Sequence, residues 1–162
     1  EAKELTKQYH NKVPFVRQLT QGIQRYLDHP SSGGSLRSLK GRKLRFDKFE
    51  PDSFEMNKAL PYEEAVALYG PPVKLRRAYT WKSTNRLIQA SAADQTKQAI
   101  VDVCEAGTIP LLQVHDELAF SVTGPEQARE LAHIMEQAVL LDVPNKCDID
   151  IGPSWGDAKE LK

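Results

Sequence analysis

The sequence predicts an α+β fold, and three observations support this prediction. Apolar residues recur at three- or four-residue spacing in three segments, which is the pattern of amphipathic helices. Two other segments pair short apolar stretches around a tight polar turn, one at Lys40-Gly41 and one at His115-Asp116-Glu117, as in β-hairpins. The chain has 162 residues, the length of one ordinary domain.

The first half of the chain is predicted to contain two helices, a hairpin and an irregular connection. Pro14 interrupts the first helix, and an apolar stripe over residues 15–27 predicts the second. Four prolines between residues 49 and 72 predict an irregular connection with one short helix over residues 62–69.

The second half is predicted to contain a long helix, a hairpin, another helix and a strand. The long helix is expected over residues 78–105, with Gly107 ending it. Thr123 and Glu126 have the spacing of a capping box in front of the next helix. Alternating polar and apolar residues over 147–151 predict a half-buried strand.

Composition limits the possible functions. The chain has 22 Lys and Arg and 22 Asp and Glu, so its formal net charge is zero. A dedicated basic tail that binds nucleic acid is therefore not expected, but a local basic face is compatible with this balance. Cys104 and Cys147 lack the spacing of a zinc or redox motif, which favours reduced thiols over a disulfide. No apolar run approaches the ~18 residues of a membrane span, and no signal peptide is recognisable. Because the first residue is Glu1, we expect a processed start or an excerpt of a longer chain.

The triplet His115-Asp116-Glu117 lies between two apolar stretches and has two interpretations. In the first, the acids are simply turn residues that reach solvent, since Asp is common in turns. In the second, the hairpin rigidly positions carboxylate oxygens for Mg²⁺, which takes one or two carboxylates together with water and substrate phosphate oxygens.

Two further groups of residues have a functional and a purely structural interpretation. Asn85 and Gln89 are four residues apart, so they share a helix face that could contact the minor-groove edge of base pairs or simply face water. The first hairpin is basic and could bind nucleic-acid phosphates or have no partner. Its candidate phosphate-binding residues are Arg37, Lys40, Arg42, Lys43 and Arg45.

These motifs, in this order, resemble family A (polymerase I-like) DNA polymerases. The segment NRLIQASAADQTK, residues 85–97, is similar to the family pattern Asn-x-x-x-Gln-[Gly/Ser]-x-[Ala/Gly]-Ala-Asp-x-x-Lys, and QVHDE, residues 113–117, is similar to its motif C. Residues 39–43 resemble the family's Gly-Arg-Arg hairpin, and residues 141–155 resemble its last strand and tail. Ala90, in place of the usual glycine, and the short loops favour a phage-type member.

The resemblance implies that residues 1–162 form the carboxy-terminal part of the palm subdomain, an antiparallel sheet with motif C on a central hairpin backed by helices. It implies a DNA-directed DNA polymerase that uses two Mg²⁺ ions, primer–template DNA and deoxynucleoside triphosphates. Asp116 would be a metal ligand, Glu117 a nearby carboxylate of lesser importance, and His115 a neighbour of the primer terminus. Asn85 and Gln89 would contact the minor groove. The expected location is the cytoplasm of a bacterium or a phage-infected host, with no membrane partner.

The chain also departs from the family pattern. No segment matches the earlier metal-binding motif A, Asp-Tyr-Ser-Gln-Ile-Glu, and the fingers helix that binds the triphosphate is absent. Trp81 occupies a position where a basic residue is expected. We therefore expect the isolated chain to be inactive and to need a complementary segment or second chain. Two other hypotheses are a non-catalytic module that binds DNA or a partner, and a metal-dependent nuclease, although a nuclease needs more converging acids.

Overall fold

The computed structural model describes residues 2–53, 55 and 57–161. The chain forms two compact units, the first ending at Ala90 and the second beginning at Ser91. Within the described residues both units combine helices with antiparallel strand pairs, which confirms the α+β class. Glu1, which the sequence placed at the start of the first helix, lies outside the described residues.

Within the described residues, the first unit contains three α-helices, five strands and the beginning of a fourth helix. Pro14 occupies the first position of the second helix, where its missing N–H is not needed. The first two strands form a hairpin, and the third is the centre of a three-stranded sheet. In chain order the elements are α1 (Ala2–Lys12), α2 (Pro14–Asp28), β1 (Ser35–Arg37), β2 (Lys43–Arg45), β3 (Lys48–Pro51), β4 (Leu60–Pro61), α3 (Tyr62–Tyr69) and β5 (Leu75–Arg77).

The core of this unit lies between α2 and the first hairpin. Ser32, just after α2, donates its hydroxyl hydrogen to the Leu27 carbonyl oxygen at 3.0 Å and accepts the Gly34 N–H at 3.0 Å. These bonds satisfy a free carbonyl at the helix end and direct the chain into β1. The buried cluster comprises Ile23, Leu27, Leu36 and Phe46, with Leu44 and Leu87 packed against it.

The proline-rich segment is more regular than predicted. The helix expected over residues 62–69 is confirmed as α3, but β3 and β4 also lie within this stretch. Arg76 of β5 bonds to the carboxylates of Glu50 and Asp52, with N–O distances of 3.1 and 3.4 Å. The sequence pattern missed this sheet because its strands are paired across long stretches of chain. Phe54 and Met56 lie outside the described residues.

Helix α4 (Ser83–Glu105) begins later than the predicted residue 78. Tyr79 has φ 62° and ψ 13°, a left-handed conformation that an α-helix cannot continue through. A 3₁₀ turn over Thr80–Lys82 then leads into α4. The predicted stop is confirmed, since Gly107 has φ 89° and directly follows the last turn.

The second unit contains the rest of α4, one further helix and two strand pairs. Its elements are β6 (Leu112–Val114), β7 (Glu117–Ala119), α5 (Pro125–Gln137), β8 (Asp150–Ile151) and β9 (Lys159–Glu160). The predicted strand over 147–151 is therefore confirmed only at its end. The buried apolar residues of this unit include Ala99, Val103, Leu131, Ala132 and Val139. No helix within the described residues is long and apolar enough to cross a membrane.

The start of α5 is stabilised differently from the predicted capping box. The Thr123 backbone N–H and hydroxyl both donate to Gln127 Oε1, at 2.8 and 3.0 Å, whereas Glu126 accepts from Arg129 at 3.0 Å. Pro125 is the first helical residue, so Gln127 is the third, the position from which a side chain can reach back to the preceding turn.

Candidate functional site

The predicted carboxylate hairpin is formed by β6 and β7. Val114 and Glu117 are the last residue pair of the ladder, which leaves His115 and Asp116 as a two-residue turn. His115 has φ 55°, as tight hairpin turns of this kind require, and histidine tolerates this region better than most residues. The Gln113 side-chain amide donates to the His115 carbonyl oxygen at 3.0 Å. Local bonding therefore holds the tip of the hairpin in place.

The side chains of His115, Asp116 and Glu117 are all exposed. Within the described part of the chain, neither carboxylate has a hydrogen bond or ion pair to a protein group. A carboxylate held at a rigid turn without a protein partner keeps its oxygens available for a cation or a polar ligand.

The hairpin fits a metal site in part. Carboxylate oxygens are the ligands that Mg²⁺ prefers, and this ion needs only one or two of them when water and phosphate oxygens complete its shell. The described residues contain no group of three or more His, Cys, Asp or Glu side chains that could hold a metal ion. Asp116 and Glu117 can therefore supply protein ligands, but the described residues do not form a complete cage.

The apolar residues that precede the tip are exposed, which the sequence did not reveal, whereas Leu118 and Phe120 after it are half-buried. Ile109 and Leu111 are 75% and 71% exposed, and Leu112 and Val114 are also accessible. Their branched, apolar side chains are typical of a strand buried within a sheet. Within the described residues, β6 and β7 form a sheet of two strands only. Sequence patterns indicate that such residues are usually buried. They do not indicate whether other residues of the same chain cover them.

The amide pair lies on the first part of α4. Asn85 and Gln89 are both exposed and, four residues apart on a regular helix, share a face as predicted. On the inner side of the helix, Leu87 packs against the buried cluster. Packing thus directs the amide pair outward.

The basic hairpin presents its cations to solvent, as predicted. All five candidate residues, Arg37, Lys40, Arg42, Lys43 and Arg45, are exposed. Leu36 pairs with Leu44 in the ladder and both lie on the inner face, so the neighbouring pair of Arg37 and Lys43 lies on the outer face.

Arg86 links the basic hairpin to the helix and was missed by the sequence analysis. Its Nη1 donates to the Arg45 carbonyl oxygen at 3.3 Å, and its guanidinium lies 4.7 Å from the centre of the Phe46 ring. The position of Arg86 between Asn85 and Gln89 could have indicated it. This contact holds the beginning of α4 and the end of β2 together as one polar surface.

The amide pair belongs to the first unit and the carboxylate hairpin to the second. If both serve one DNA duplex, Asn85 and Gln89 should point to the same side as the tip at Asp116 and open into one cleft, and this stays a prediction. The two cysteines are both free thiols. Burial, followed by the nearby carboxylates of Glu136 and Asp148, raises the pKa of the Cys147 thiol.

The exposed carboxylate turn, the amide-bearing helix and the basic hairpin are the features that the resemblance to family A DNA polymerases predicts. Comparison with known families agrees, because the model of DNA polymerase family A matches residues 1–157. The chain belongs to DNA polymerase family A.

Individual relatives lead to the same family. A DNA-directed DNA polymerase of Pseudomonas phage M6 is 36% identical over 156 residues, which is 96% of this chain and 20% of the phage protein. DNA polymerase I of Geobacillus stearothermophilus is 30% identical, over 98% of this chain and 17% of that protein. The chain thus spans about a fifth of the length of these relatives.

A solved structure is also similar. The POL domain of Pol1 from M. smegmatis, in complex with a DNA primer-template and dNTP, matches with a TM-score of 0.60 and 29% identity. The match covers 89% of this chain and 23% of that one. The mixed helix and strand architecture of this chain therefore resembles part of a polymerase domain.

Proposed function

We propose that this chain is the carboxy-terminal, palm-forming part of a DNA-directed DNA polymerase that adds deoxynucleotides to a primer 3′-hydroxyl in DNA replication or repair. The observation that carries the proposal is the rigid two-residue turn at His115-Asp116, which holds exposed carboxylates at the tip of a hairpin. Membership of DNA polymerase family A supports the reaction class.

In this proposal each residue of the triplet His115-Asp116-Glu117 would have its own role. Asp116 would hold Mg²⁺ through its carboxylate, Glu117 would add a second carboxylate of lesser importance, and His115 would lie near the primer terminus. Two bound Mg²⁺ ions would supply charge neutralisation on the attacking and leaving oxygens. The tight turn favours metal binding because it restricts the positions of the Asp116 oxygens more than a flexible loop would.

The first unit would hold the DNA. Asn85 and Gln89 each offer an amide donor and an acceptor, which suits the acceptors that base pairs present in the minor groove. The cations of the basic hairpin would contact backbone phosphates, independently of sequence. Arg86 supports this arrangement because it joins the helix to the hairpin.

The active enzyme would need more than these residues. The exposed apolar residues before the tip of the carboxylate hairpin and the lack of a complete metal cage in the described residues both support a complementary segment, on the same polypeptide or on a second chain. We propose that this segment supplies the motif A acid and the fingers. The isolated chain is then inactive, and the complete enzyme acts in the cytoplasm of a bacterium or phage-infected host.

The test uses a polymerase that contains this chain together with the motif A and fingers segments. Asp116→Asn should lower primer extension by ~10³-fold or more, because it removes a charge that holds the metal, worth several kcal/mol. Asp142→Asn is the matched control, since Asp142 is also exposed in the second unit and outside the hairpin. Near-normal extension by Asp116→Asn would refute the metal-ligand role.

The second candidate is a non-catalytic module that binds DNA or a protein partner. The incomplete set of metal-ligating residues in the described part of the chain favours it, and argues equally against a nuclease that uses this chain alone. The same experiment separates the candidates. Addition of the complementary segment restores primer extension if the chain is part of a polymerase, and has no such effect if it is a binding module.

A further inference from the structure

We propose that Tyr79, Trp81 and Lys82, termed here the aromatic turn, form a stacking site for an unpaired nucleobase of single-stranded DNA. The turn lies immediately before the amino-terminal end of α4, the helix that bears the amide pair. The inference deepens the proposed DNA-binding role and rests on it, but it requires neither a metal ion nor catalysis.

The rings of the aromatic turn are accessible. Trp81 is 67% exposed, and Tyr79 is exposed as well. The ammonium group of Lys82 lies 4.7 Å from the centre of the Trp81 ring and 5.4 Å from that of Tyr79. Because the ammonium group lies over one face of the indole, a base would stack on the opposite face, and the positive charge would attract the phosphate.

The backbone holds this arrangement in place. Tyr79 adopts a left-handed conformation that is rare for a bulky residue, and such strained positions are concentrated at functional sites. The Lys82 N–H donates to the Tyr79 carbonyl oxygen at 2.9 Å, which closes the turn. The side chain of Ser83 at the start of α4 is fully buried, so the turn is anchored directly after Lys82.

The surrounding charges suit a polyanion. Residues 75–93 include four basic side chains and no acidic one. Arg76 is paired with Glu50 and Asp52. From the aromatic turn onward in this segment, the charges left for a polyanion are those of Lys82 and Arg86. If the helical path is extended back by one residue, Lys82 lies on the same face as Asn85, Arg86 and Gln89, at spacings of three, four and seven. A phosphate backbone that follows this face would reach the aromatic turn at the amino-terminal end of α4.

The occupant is single-stranded because the bases inside a duplex already stack on one another. Only an unpaired base, such as one in the single-stranded part of a template, can place its free face against Trp81 without disrupting a pair. Stacking on aromatic side chains tolerates any base sequence, which suits a template of arbitrary sequence.

The first test measures fluorescence of the 162-residue chain carrying Trp155→Phe, in which Trp81 is the only tryptophan. Titration with an oligo(dT) of about 12 nucleotides, a common site length for such surfaces, should quench the Trp81 emission. An abasic oligonucleotide of the same length should bind more weakly and leave the emission unchanged. An unchanged emission at saturating oligo(dT), or equal binding of both oligonucleotides, would overturn the inference.

The second test compares variants in oligo(dT) binding. Trp81→Ala should weaken binding roughly tenfold, the loss expected for one stacked base, whereas Trp81→Phe keeps a ring and should retain most of the affinity. Trp155→Ala is the matched control, because Trp155 is similarly exposed, at 61%, but lies in the other unit. If Trp81→Ala and the unchanged chain bind oligo(dT) equally well, the proposed stacking site is refuted.

The outcomes also separate this inference from the polymerase proposal. If Trp81→Ala binds DNA normally while Asp116→Asn still abolishes primer extension in the complete enzyme, only the stacking site fails. If Trp81 stacks as expected while Asp116→Asn remains active, the catalytic role of the hairpin fails instead.

Discussion

The basic hairpin and the carboxylate hairpin are each built from two three-residue strands, but their surroundings differ. In the basic hairpin, Leu36 is 8% exposed because β1 packs its inner face against α2. In the carboxylate hairpin, Leu111 is 71% exposed. Both hairpins place charged groups in solvent, but only the basic one is supported by a buried face within the described residues. Local turn chemistry can therefore position the residues of a site even where no buried face supports them.

The largest effect that tests this comparison concerns stability. Leu36→Ala should lower the free energy of unfolding of the first unit by about 2–5 kcal/mol, because it removes buried methyl groups and leaves a cavity. Leu111→Ala in the same chain should cost less than about 0.5 kcal/mol, as exposed substitutions do. Urea unfolding of single-tryptophan variants follows the signal of Trp81 in the first unit or of Trp155 in the second.

The same substitution can be measured in the complete polymerase. If the complementary segment covers the carboxylate hairpin, Leu111→Ala should then cost about 2 kcal/mol or more. A cost that stays negligible in the complete enzyme would mean that these apolar residues are not covered on assembly.

The second effect concerns DNA binding by the basic hairpin. Charge reversal of Arg37, Lys43 and Arg45 to Glu should weaken binding of primer–template DNA and reduce the log–log salt slope by about 0.9 for each lost phosphate contact. Reversal of Lys3, Lys7 and Lys12 on α1 makes the same change in net charge and is the control. If both triple variants lose affinity equally, only net charge matters and the basic hairpin has no special role.

The smallest effect concerns the two thiols of the second unit. Burial and neighbouring carboxylates raise the pKa of Cys147, so less of its thiolate is present at a given pH. The rate of Cys147 alkylation should therefore increase at a higher pH than the rate for the exposed Cys104. Mass spectrometry after iodoacetamide treatment across a pH series measures this order. The urea-unfolded chain is the control, in which both should react alike. Equal pH profiles in the folded chain would contradict the assigned environment of Cys147.

Several features could be predicted because they depend on nearby residues. The hairpin turn at Lys40-Gly41, the stop at Gly107 and the shared face of Asn85 and Gln89 follow from spacing and turn chemistry. The turn predicted at His115-Asp116-Glu117 is confirmed for its first two residues, whereas Glu117 belongs to β7. The three-stranded sheet could not be predicted in this way, because β3 and β5 are joined through residues that lie more than twenty positions apart, such as Glu50 and Arg76. The roles of the site residues in catalysis stay predictions.

The sequence by itself therefore determined the α+β class, the family, and which residues occupy the tips and faces of the candidate site. Only the tertiary structure decided that Tyr79 breaks the path into α4, that Trp81 is exposed beside Lys82, and that the apolar residues before the tip of the carboxylate hairpin face solvent. The physical reason is that spacing and turn preference act over a few residues, whereas burial depends on whatever distant residues happen to pack nearby.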